Sequence, residues 1–102
     1  SNAAVGLRPV RYLGIDFGRT NDPTVCWTFE RVGDVFWTRE VLVLRDMATP
    51  DQEAALAHRI AKARRVCLDY TGPGIGLGDY LVKSHGEYDP PKHKFGKVEL
   101  CT

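Results

Sequence analysis

The sequence predicts a mixed α+β / α/β fold of three antiparallel strands, then helix, parallel strand, helix and strand. Three observations predict it. Residues 11–44 are dense in β-branched and aromatic residues, cut by two short turns. A helix start with several independent signals follows near Thr49. Beyond that helix, the apolar run at Val66 and the later one at Val98 are separated by a glycine-rich turn and a second helical stretch.

The elements follow in order. Arg11 to Phe17 (RYLGIDF) is short, apolar-rich and closed by Gly18, which reads as a strand. Thr24 to Arg31 and Asp34 to Leu44 are two more. Val32-Gly33-Asp34 between them is a hairpin signal, because glycine supplies the positive φ of tight turns. With the short Gly18–Pro23 connection, the first three strands form a meander. Thr49 can cap a helix, Pro50 fits its first position and Gln52 stands three residues after Thr49, the pattern of a capping box. Leu56, Ile60 and Ala63 follow at helical spacing, and Arg59, Lys62, Arg64 and Arg65 crowd the C-terminal end, where cations suit the helix dipole. Val66 to Leu68 is a buried strand with Asp69 at its carboxyl end. The turn Thr71–Gly76 leads to a helix over Leu77 to His85. Gly86 to Lys94 is a polar loop, and Phe95 to Cys101 a last strand. This order is the topology of the ribonuclease-H-like fold.

Composition narrows the function classes. Of 102 residues, 43% are hydrophobic and 26% charged, which is a folded rather than a disordered balance. Ser1-Asn2-Ala3 looks like the remnant of an expression tag, leaving residues 4–102 as the domain. No apolar run approaches the roughly 18 residues needed to span a bilayer, and no signal peptide is visible, so no membrane partner is expected. Fourteen basic against thirteen acidic residues give a net charge of +1, which excludes a uniformly cationic coat but not a local basic path. Cys26 and Cys67 sit in apolar runs and read as reduced core residues of an intracellular, cytoplasmic protein. With Cys101 they make three widely spaced cysteines, and no zinc knuckle. Trp27 and Trp37 read as core or cross-strand packing, and His58 as a solvated helix residue.

Few residues can carry chemistry. Asp16 ends an apolar strand between Gly14 and Gly18, and a buried carboxylate there needs a partner or a metal. Asp69 also ends an apolar strand before a glycine-rich turn. If the first and fourth strands are neighbours, both carboxylates emerge at one carboxyl-end crevice. Hard divalent cations relieve the repulsion between such a pair. Asp22 serves either as a turn former in Asn21-Asp22-Pro23 or on the substrate side. Thr71 and Gly72 open a stretch whose N–H groups could cradle an anion, although no Walker lysine is present. Lys83, Lys92, Lys94 and Lys97, with His85 and His93, form a basic stretch suited to a phosphate backbone.

Two strings, Tyr12-Leu13-Gly14-Ile15-Asp16-Phe17-Gly18-Arg19-Thr20-Asn21-Asp22-Pro23-Thr24 and Arg65-Val66-Cys67-Leu68-Asp69-Tyr70-Thr71-Gly72-Pro73-Gly74-Ile75-Gly76-Leu77, together resemble the nuclease domain of phage large terminase subunits, most nearly the Mu-like phage and prophage type. The resemblance implies a ribonuclease-H-like endonuclease that cuts concatemeric double-stranded DNA during genome packaging in the bacterial host. It implies Asp16 and Asp69 as metal ligands, two Mg²⁺ or Mn²⁺ ions in the complete domain, and the small terminase subunit and portal as partners. The family's third acidic ligand has no match in Asp89, Glu99 or the last strand. The resemblance therefore implies a nuclease domain cut short at its C-terminus, inactive alone and prone to self-association through an uncovered sheet. Gly14-Ile15-Asp16-Phe17-Gly18-Arg19-Thr20-Asn21 also resembles the first phosphate motif of actin-like and sugar-kinase ATPases, so that class, or a non-catalytic docking domain, is the alternative.

Overall fold

Successive side chains of a strand point to opposite faces, so each long strand is two-faced and the fold follows from which face is covered. A computed structural model describes residues 8–18 and 22–102. The tag remnant at 1–3 and the motif residues Arg19, Thr20 and Asn21 lie outside the described residues. The long strands are β1 (Val10–Asp16), β2 (Thr24–Val32), β3 (Val35–Leu44), β4 (Arg65–Asp69) and β7 (Val98–Cys101). They form one sheet in the order β3-β2-β1-β4-β7. The first three pair antiparallel, whereas β4 runs parallel to β1 and β7 parallel to β4. This mixed sheet with its helical crossovers is a ribonuclease-H-like fold.

Both helices, α1 (Thr49–Lys62) and α2 (Gly74–His85), contribute to one core. Leu13 and Ile15 of β1, Cys26 of β2, Val66 and Leu68 of β4 and Val98 of β7 meet Leu56 and Ile60 of α1 and Leu77 and Leu81 of α2. The opposite face of the sheet carries Tyr12, Gly14, Asp16, Val25, Trp27, Phe29, Cys67 and Asp69, by strict alternation from the buried set. Trp27 and Phe29 stack there with ring centroids 5.5 Å apart. Trp27 remains 42% exposed and Trp37 50% exposed, so neither is the core residue expected from sequence. The cross-strand part of that expectation holds for Trp27, whose Nε1 donates to Thr38 Oγ1.

Local details differ from the sequence reading for identifiable reasons. The capping box at Thr49 does not form: Ala48 is the N-cap and no side chain caps the helix. Gln52 is drawn inward instead. Its Nε2 donates to the Met47 carbonyl, and its Oε1 accepts from the buried Thr24 hydroxyl, tying the start of α1 to the start of β2. The second helix begins at Gly74 rather than Leu77, because Gly74 fits tightly against the Asp69 carbonyl and the chain turns helical from there. A Cβ on Gly74 would lie 2.1 Å from the Asp69 carbonyl oxygen. The loop after α2 is partly ordered as β5 (Tyr88–Asp89), a 3₁₀ turn (Pro90–Lys92) and β6 (Lys94–Phe95). Cys67 is neither buried nor reduced: it faces the open side and forms a disulfide with Cys101 across β4 and β7, at a Cα–Cα distance of 6.2 Å. Only Cys26 is the buried free thiol expected.

Candidate nuclease site

Asp16 is the last residue of β1 and Asp69 the last of β4. The parallel register pairs Ile15 with Leu68, so the two aspartates leave the sheet side by side at its carboxyl end. Ile15 and Leu68 are buried on the helix side, hence both carboxylates turn to the opposite face, and both are exposed. Like charges so placed repel, and an opposite charge between them would relieve the repulsion. The pair lines a crevice of about 560 Å³ with Phe17, Asp22, Thr71 and Pro73. Asp16, Asp69, Asp22 and Thr71 thus line one crevice, without Asp22 joining the other two acids as a third metal ligand.

The turn after β4 orients one of the acids. Thr71 Oγ1 donates to Asp69 Oδ1 at 2.7 Å. Gly72 makes this possible with φ of 51°, a left-handed backbone that a side chain disfavours. The Tyr70 N–H donates to the Cys101 carbonyl at 2.8 Å, which clamps the end of β4 to β7. Gly72 itself is a hinge of the turn and not a crevice wall. The N–H groups of Gly74 and Ile75 are already given to the Thr71 and Gly72 carbonyls, at 3.0 and 3.3 Å. They are not an open anion cradle.

The basic stretch lies elsewhere. α2 carries the chain away from Asp69 to the other end of the sheet, where the Lys97 carbonyl accepts from Val66 N–H at the start of β4. Lys97 Nζ donates to the Ile60 and Ala61 carbonyls at 3.0 and 3.3 Å, capping α1. Lys94 pairs with Glu87 at 3.1 Å, and Lys92 approaches Asp89 at 4.0 Å. Lys83 lies in the last turn of α2 beside His85, whose pKa is lowered by burial and by Lys97. The structure therefore does not bring Lys83, Lys92, Lys94 or Lys97 to the acidic crevice.

A second depression shares the two aspartates. It holds about 640 Å³ over Gly14, Val25, Trp27, Phe29 and the Cys67–Cys101 pair. The disulfide beside Asp69 went unread in sequence, since a separation of 34 residues carries no pairing signal. Among the described residues, no three His, Cys, Asp or Glu side chains converge as a metal site. The donors present are all hard oxygens in an open crevice, which suits Mg²⁺ or Mn²⁺ and not a soft metal.

The sheet order, with three antiparallel strands followed by helix-linked parallel ones, defines a ribonuclease-H-like domain. The family described as the Terminase RNaseH-like domain matches residues 13–93, and the chain belongs to that family. No curated protein and no solved structure matches the chain. Among the described residues, no helix is long and apolar enough to cross a membrane.

Proposed function

We propose that residues 4–102 serve as a metal-dependent endonuclease module of a phage terminase large subunit, cutting concatemeric double-stranded DNA during packaging. The observation that carries the reading is the placement of Asp16 and Asp69 at the carboxyl ends of adjacent parallel strands. These two acids would hold Mg²⁺ or Mn²⁺, and Thr71 would keep the Asp69 carboxylate aimed at the crevice. An ion bound there supplies a more acidic water and charge neutralisation at the scissile phosphate. Asp22, which lines the same crevice, would stand on the substrate side. Two carboxylates alone bind Mg²⁺ weakly, because the ion gives up its waters reluctantly. Further acidic groups from the rest of the terminase would complete a two-ion site, and this chain alone would nick DNA slowly or not at all. The small terminase subunit and portal are the partners that membership of the family suggests.

The ATPase reading is weaker, since the N–H groups at the start of α2 that a phosphate would need are bonded within the turn.

The test is nicking of supercoiled plasmid by the full-length terminase with Mn²⁺. Asp16→Asn and Asp69→Asn should each lower the rate by about 100-fold or more, of the order of 3 kcal/mol in the barrier, with an unchanged circular-dichroism spectrum. Unaltered nicking by either variant would refute the assignment.

A further inference from the structure

A pocket of about 290 Å³ lies on the helix side of the sheet, walled by Arg11, Arg39, Glu40, His58, Arg59 and Lys62. It is far from the acidic crevice. Arg11 precedes Asp16 by five residues along β1 and points to the other face, a span of about 16 Å at the strand rise.

Its construction is specific. The register of β2 and β3 slips between Thr28 and Phe29, pairing Thr28 with Glu40 and Phe29 with Thr38. Arg39 is the extra residue of this bulge, and both Arg39 and Glu40 therefore reach the same side of the sheet. Glu30 then binds two arginines at once. Its Oε2 accepts from Arg11 Nε at 3.2 Å, and its Oε1 from Arg39 Nε at 3.0 Å. The hydrogen bond from Arg11, with that from Arg39, holds the Glu30 carboxyl below its usual range, so it stays ionised as their anchor. Among the described residues, the terminal amino groups of Arg11 and Arg39 have no hydrogen-bond acceptor. Arg59 is closed off differently, by a fork onto Glu40 at 2.7 and 3.0 Å. Lys62 has no carboxylate within ion-pair distance among the described residues. Four cations thus face two carboxylates, Glu30 and Glu40, leaving a surplus of two positive charges around a small cavity.

Two guanidinium groups held by one carboxylate are ordered before any ligand arrives, which lowers the entropy cost of binding. Their free terminal nitrogens match the oxygens of a phosphate, which arginine takes two at a time. The geometry points to a phosphate-binding pocket at Arg11, Arg39 and Lys62, occupied by a phosphodiester of duplex DNA or by a free phosphate group. The pocket does not depend on the nuclease assignment of Asp16 and Asp69.

The test separates both questions by omitting metal. In EDTA, inorganic phosphate titrated into the protein should shift the NMR signals of Arg11, Arg39 and Lys62 and leave those of Asp16 and Asp69 in place. Fluorescence anisotropy with a 20-base-pair duplex, also in EDTA, supplies the second arm. Arg39→Gln with Lys62→Gln should weaken duplex binding about tenfold and reduce the salt slope by roughly two. A charge-matched control, Lys92→Gln with Lys94→Gln, should cost less. Arg39→Lys keeps the charge and removes the fork, and should retain only part of the affinity. Phosphate shifts in the pocket with duplex affinity unaffected by the pocket variant would support the site and assign it to free phosphate. Absence of phosphate shifts at Arg11, Arg39 and Lys62, or equal losses in both double variants, would overturn it.

Discussion

Cys26 is fully buried beneath α1, and burial pushes its thiol up to about 11, with Arg59 opposing and Glu40 adding to the effect. A neutral thiol without solvent contact is a poor nucleophile. With Cys67 and Cys101 joined, the non-reduced protein should release no thiol to a chromogenic disulfide reagent when native and one per chain in denaturant; a native-state reaction would contradict the burial. Gly74 offers a second test at this scale. The Asp69 carbonyl oxygen sits 2.1 Å from where its Cβ would be, so the turn must shift to admit alanine. Because the same turn holds Thr71 on Asp69, Gly74→Ala should destabilise the fold by about 1–3 kcal/mol, as overpacking does, despite alanine's better helix propensity. Urea denaturation measures it, and a stabilised variant would show that the turn yields freely.

Elements are joined by polar ties as well as by the core. Glu40 on β3 and Arg59 on α1 form a forked pair across the sheet–helix interface, and the Arg59 hydrogen bond lowers the Glu40 pKa while Glu40 raises that of Arg59. A depressed carboxyl pKa stabilises the folded state fully above the ordinary value of 4.5 and loses that contribution as pH falls through the folded value. Glu40 is exposed and Arg59 half-buried, so solvent screens the pair and it is worth about 0.5 kcal/mol. Glu40→Gln should lower stability by that amount at neutral pH and by nothing in strong acid. Urea midpoints compared across pH would detect it, and a difference that persists in acid would reject the pair as the cause. The start of α1 is held in another way. Gln52 leaves the helix terminus to bond Thr24 and Met47, so its conversion to Ala should loosen the β2–α1 junction rather than merely fray one turn.

Seen whole, the molecule is a sheet with helices on one side and an open, largely apolar face on the other. Val25, Trp27, Phe29, Val41 and Val43 lie on that face, and β3 is a ten-residue edge strand. Exposed apolar patches and unpaired edges both favour association. The chain should self-associate with rising concentration, visible as an increase in mass by light scattering after size exclusion, and Trp27→Lys should reduce it. A concentration-independent monomer would show that the edge and face are adequately protected by their charged residues and bulge.

Much of this architecture is written in local pattern. Short runs rich in apolar, β-branched and aromatic residues, bounded by glycine and proline turns, identified β1, β2 and β3, and the apolar run at Val66 identified β4, because such side chains fit a pleated, half-buried surface. Helical spacing of Leu56, Ile60 and Ala63 did the same for α1. The two strand-end aspartates were legible as a pair once β1 and β4 were taken as neighbours. Other features depended on groups that meet only after folding. Gln52 left its capping role because Thr24 offered a buried partner 28 residues away. Cys67 met Cys101 because the parallel β4–β7 register, which pairs Cys67 with Glu99 and Asp69 with Cys101, leaves the two cysteines diagonal neighbours on one face. The lysines after α2 were carried to the far end of the sheet because α2 runs back along the strands, and the arginine pocket exists because a bulge turned Arg39 toward Glu30. Side-chain period and turn chemistry are short-range properties and can be read along the chain. Which polar groups become partners is set by long-range register and packing, and only the tertiary structure decided it.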